Sequence, residues 1–87
     1  MSWGVDFTTR ARSDLVGLPS DLNEAIVDAL VTWARNGPPL ENSRTMLEIT
    51  FHEATIADRL LLAYAVDDSR QRFVVLWIRE KPGAKRL

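Results

Sequence analysis

Residues 59–81 read RLLLAYAVDDSRQRFVVLWIREK. Two apolar runs, Leu60–Val66 and Phe73–Ile78, flank the polar segment Asp67–Arg72. Runs of this length, rich in Val, Leu, Ile and aromatic residues and broken by Asp-Asp-Ser, predict two strands joined by a tight hairpin. Side chains alternate across a strand. Leu60, Leu62, Tyr64 and Val66 therefore share one face of the first strand, and Arg59, Leu61, Ala63 and Ala65 the other. In the second, Val74, Leu76 and Ile78 share one face, and Phe73, Val75, Trp77 and Arg79 the other. Neither side is simply polar, so the hairpin needs cover on both.

Working outward, Met46–Glu53 also alternates. Leu47, Ile49 and Phe51 fall on one face, with Glu48, Thr50 and His52 opposite, as in a half-buried strand. Ala54–Asp58 reads as a turn and Pro38–Arg44 as a loop. Leu22, Ala25, Ile26, Ala29, Leu30 and Trp33 recur at helical spacing. Ser20 or Asp21 offers a cap for that helix, with Glu24 placed for a capping box on Asp21. Asn36-Gly37-Pro38-Pro39 stops it. A shorter helix over Arg10–Val16 is capped by Thr8 or Thr9 and ended by Gly17 and Pro19. Trp3, Val5 and Phe7 alternate as a first strand. The order β-α-α-β-β-β implies an α+β fold. Its last three strands form an antiparallel meander, the first strand joins the same sheet, and a helical hairpin covers one face. The edge taken by the first strand is open at this level. Leu61, Phe73, Val75 and Trp77 would form an apolar area on the far face, which either marks a protein partner or is covered by strand twist, the Pro38–Arg44 loop and the tail.

With 87 residues, one domain over 1–87 is expected, ending in a short mobile basic tail at 84–87. Hydrophobic residues make up 46% and charged residues 26%, which excludes a disordered chain. The absence of cysteine excludes disulfides and thiolate chemistry, and a single histidine argues against a metal site. No cofactor is indicated. The N-terminus lacks the pattern of a signal peptide, and no apolar run suits a bilayer span, so a cytoplasmic protein is expected. The net charge of −1 is uneven: residues 1–58 hold nine acidic and four basic groups, residues 59–87 three acidic and seven basic. A globally basic nucleic-acid binder is not indicated, while the distribution leaves room for a local basic patch near the C-terminal half.

Several segments, in order, resemble the RelE/ParE superfamily of bacterial toxins. They are Val5–Pro19 (VDFTTRARSDLVGLP), Ala25–Pro38, Leu47-Glu48-Ile49, Asp58–Tyr64 (DRLLLAY) and Val75–Lys81 (VLWIREK). The resemblance implies the toxin of a type II toxin–antitoxin pair, held by a cognate antitoxin. It further implies a ribosome-dependent endoribonuclease that cleaves messenger RNA by 2′-hydroxyl attack on the adjacent phosphate. A branch that inhibits DNA gyrase without nuclease chemistry, and an inactive partner-binding relative, are the alternatives. A homodimer is left open.

Metal-independent RNA cleavage needs a proton acceptor, a proton donor and cations for the phosphate. By resemblance, Arg59 and Arg79 are the catalytic arginines. Glu48 and His52, on one predicted strand face, are the acid–base candidates, His being the side chain that titrates nearest neutrality. Arg44 and Lys81 are candidate phosphate and RNA ligands. The chain departs from the nucleolytic pattern in its acidic pI of about 5.7 and in having no tyrosine or histidine after Lys81.

Overall fold

The computed structural model describes residues 2–40 and 42–81. The expected tail at 84–87 lies outside the described residues. The chain runs β1 (Gly4–Phe7), α1 (Thr9–Val16), α2 (Ser20–Asn36), β2 (Ser43–Met46), β3 (Ile49–Ile56), β4 (Leu60–Asp67) and β5 (Arg72–Glu80). All five strands form one sheet in the order β1-β5-β4-β3-β2. The meander is antiparallel, and β1 closes the β5 edge in parallel, with Val5 opposite Phe73 and Phe7 opposite Val75. The α+β arrangement expected from the hairpin thus stands, and the edge taken by the first strand is now fixed. No helix among the described residues is long and apolar enough to cross a membrane.

The segment expected as one strand over Met46–Glu53 is two. Leu47 and Glu48 both take left-handed backbone angles, φ 53° and 67°, and turn the chain back between Met46 and Ile49. Two successive left-handed residues make the tight turn whose twist matches a hairpin. The chain resumes as β3 and runs three residues past Glu53, so the turn expected at Ala54–Asp58 begins only at Ala57.

Both helices lie on one face of the sheet. The Thr8 side chain caps α1, accepting from the Ala11 N–H at 3.0 Å. The capping box expected at Asp21 is not formed: α2 starts at Ser20 behind Pro19, and no side chain caps it. Ala11, Leu22, Ile26, Leu30 and Trp33 pack against Leu60, Leu62, Tyr64, Phe73, Val75 and Ile78. Tyr64, Trp33 and Phe73 form an aromatic centre with ring centroids 4.8–6.3 Å apart, and the Tyr64 hydroxyl donates to the Pro39 carbonyl. Gly37 reverses the chain at φ 92°, with the Trp3 indole against it.

One irregularity decides which side chains reach the other face. In the β4–β5 ladder Ala63 pairs with Trp77 but Tyr64 pairs with Val75, so Leu76 is an extra residue in β5. Such a bulge breaks the two-residue alternation. Phe73 and Val75 point to the helices and are fully buried, Ile78 returns to the core, and Trp77 and Arg79 are carried to the opposite face. This corrects the expected partner surface. Phe73 and Val75 are core residues, because the bulge lies between them and Trp77.

Candidate functional site: a basic groove on the open sheet face

The sheet face away from the helices carries a groove of about 970 Å³. Its floor follows from register. Antiparallel partners project to the same side, so Glu53, Ala63 and Trp77 form one row and Thr55, Leu61 and Arg79 the next. Phe51, opposite Arg44 on β2, extends the floor, and Met46 continues that side of the hairpin. Arg10 of α1, Arg44 of β2, Arg79 of β5 and Lys81 just beyond it border the space. Glu53 is the one carboxylate among the described lining residues.

The polar groups are held in place. The Arg79 guanidinium lies 4.4 Å from the centroid of the Trp77 ring, a cation–π contact between strand neighbours two apart. Phe51 meets Trp77 edge to face at 6.4 Å. Arg44 Nε lies 2.6 Å from Glu53 Oε1, and the Glu53 side chain is only 10% exposed. Arg10 is 3.5 Å from Asp14, a carboxylate that also accepts the Ile78 N–H just after the bulge.

The expected site residues divide. Arg79, Lys81 and Arg44 converge on the groove, and Leu61 and Trp77 line it. Arg59 does not line it: it sits in the β3–β4 turn, where its carbonyl accepts the Lys81 N–H at 2.8 Å. Glu48 is at the exposed tip of the β2–β3 hairpin. His52 is on the helix side, its ring stacked on Tyr64 at 5.6 Å. Glu48 and His52 therefore do not share a strand face, because the Leu47–Glu48 turn separates them. Glu53, Arg10 and Thr55 were not anticipated. Alternation onward from Phe51 would have marked Glu53 and Thr55; nothing local marks Arg10.

Chemically, the groove offers cations for phosphates, an aromatic and aliphatic floor, and one carboxylate able to take a proton. No family model matches the sequence, and no curated protein matches it. Solved structures do. One chain of the RelBE2 toxin–antitoxin complex of Mycobacterium tuberculosis is 26% identical and superposes with a TM-score of 0.66, over 93% of this chain and all of that one. The isolated Escherichia coli RelE toxin gives a TM-score of 0.73 at 22% identity, over 99% of this chain and 88% of that one. A chain of the archaeal RelE–RelB complex of Pyrococcus horikoshii gives 0.76 at 14%, over 95% and 99%. The chain has the fold of these RelE-type toxins. It spans nearly the full length of those structures.

Proposed function

We propose that this chain is the toxin of a toxin–antitoxin pair and that it cleaves messenger RNA on the ribosome. The observation that carries the reading is the gathering of Arg10, Arg44, Arg79 and Lys81 around Trp77 with one carboxylate, in a chain whose net charge is −1. Cations concentrated in one groove of an otherwise acidic protein suit a phosphate backbone.

In the proposed reaction the ribose 2′-oxygen attacks the adjacent phosphorus and the bond to the 5′-oxygen breaks, leaving a 2′,3′-cyclic phosphate and a 5′-hydroxyl. Glu53 takes the 2′-hydroxyl proton. The Lys81 ammonium donates a proton to the departing oxygen. Arg79 and Arg44 stabilise the charge that builds on the phosphoryl oxygens. The antitoxin is expected to cover apolar surface, and the exposed side chains Met46, Leu47 and Ile49 on the β2–β3 hairpin provide some.

The Arg44–Glu53 ion pair favours a second reading. A groove whose carboxylate is already engaged resembles a binding surface more than a poised base, as suits a non-nucleolytic toxin acting on DNA gyrase. Inducible expression separates the two. Growth arrest with loss of translation, relieved by Arg79→Ala, supports cleavage. Arrest with loss of supercoiling while translation continues supports the gyrase reading.

A further inference from the structure

The groove is more than a strip of positive charge, because its floor is aromatic. Trp77 stands in the middle row of the sheet, steadied on one edge by Phe51 and flanked by Leu61 and Arg79. The other two tryptophans are differently placed: Trp33 is in the core, and Trp3 packs against it beside Gly37. Arg79 reaches Trp77 and is itself exposed. An exposed cation–π contact is weak, so the guanidinium is readily drawn off the ring by a phosphate. Cations that track a backbone, beside an aromatic face on which a base can lie, are the two parts by which proteins hold single-stranded nucleic acid.

We propose that Trp77 is a base-stacking platform for single-stranded RNA and that Arg79, resting on the ring in the free protein, transfers to the phosphate of the stacked nucleotide. This rests on the reading of the groove as an RNA site and deepens it. It assigns Trp77 to the RNA ligand and not to a protein partner. It also accounts for the bulge at Leu76, without which Trp77 would share the buried face of Phe73 and Val75.

The test is binding of a short labelled oligoadenylate by fluorescence anisotropy across a salt series, with tryptophan emission followed in parallel. Trp77→Ala is expected to weaken binding by roughly tenfold or more with the salt slope unchanged, because stacking releases no counterions. Trp77→Phe is expected to keep most of the affinity and to lose the quenching of tryptophan emission. Arg79→Ala is expected to reduce the salt slope. If Trp77→Ala fails to fold, the wild-type protein with an oligonucleotide abasic at every position gives the same comparison, and an equal loss of affinity supports the platform. Salt-dependent binding unaffected by Trp77→Ala or by removal of the bases overturns the platform and leaves the RNA groove standing. No binding of the oligoadenylate by the folded wild type overturns both.

Discussion

The Thr8 hydroxyl donates to the Leu76 carbonyl at 2.7 Å. The same oxygen accepts the Ala11 N–H that starts α1, so one side chain both caps a helix and holds the bulge in β5. Asp14, on the same helix, accepts the Ile78 N–H at 3.0 Å on the other side of that bulge. The first helix thus clamps the irregularity that sends Trp77 and Arg79 to the open face.

Breaking this clamp should cost stability. Thr8→Ala removes a cap and a strand contact together and is expected to destabilise by about 1–2 kcal/mol. Asp14→Ala leaves the Ile78 N–H without this acceptor and is expected to cost about 1–3 kcal/mol. Urea midpoints at unchanged slope would check both. Wild-type midpoints for the two variants would show that the bulge is held by the sheet alone.

Core and open face make opposite predictions. Phe73→Ala should destabilise by about 3–5 kcal/mol, as expected for truncation of a fully buried aromatic. Tyr64→Phe should cost about 1 kcal/mol through the lost bond to Pro39. Leu61→Ala, on the half-buried groove floor, should cost less than Phe73→Ala. Thermal unfolding of the three variants ranks them, and a Phe73→Ala protein as stable as wild type would return Phe73 to the surface.

Much of this was readable in the residues. The Asp67–Arg72 interruption located the β4–β5 hairpin, and the stripe from Leu22 to Trp33 located α2. The sequence hid what depended on backbone irregularity. Leu47-Glu48 carries none of the Gly, Asn or Asp that normally signals a tight hairpin turn, so alternation ran straight through it. That merged two strands and paired Glu48 with His52. The bulge at Leu76 is likewise unmarked, because its stabilising partners, Thr8 and Asp14, are more than 60 residues away in sequence. Arg79 and Lys81 were marked by the resemblance of the basic end of the last strand; Glu53 was missed because it falls with Leu47, Ile49 and Phe51 on the face read as apolar.

The hairpin turn offers a direct check. Glu48→Gly relieves a left-handed backbone at a non-glycine residue and is expected to stabilise by about 1 kcal/mol. Because Glu48 lies at the hairpin tip outside the groove, RNA cleavage should be unchanged. Abolished cleavage in this folded variant would restore Glu48 to the chemistry.

Asp67 gives a pH signature. The Ser69 hydroxyl holds its carboxyl below the ordinary aspartate value; desolvation opposes this, and the Arg70 N–H and guanidinium each add a lesser lowering. A lowered folded-state value means that its contribution is present above the unfolded value and is lost as pH falls through the folded one. Asp67→Asn should therefore flatten the acid limb of the stability–pH curve slightly and leave neutral stability lower. An unchanged acid limb would count against the turn's hydrogen bonds in solution.

Cleavage of messenger RNA on purified translating ribosomes tests the central claim most directly. Wild-type protein should cut the message within ribosome-bound codons. The folded Arg79→Ala, Lys81→Ala double variant should not, and Arg59→Ala should cut nearly as well as wild type. Intact message in the presence of excess folded wild-type protein would contradict a nucleolytic groove. Cleavage that survives the double variant but is lost with Arg59→Ala would move the site to the β3–β4 turn.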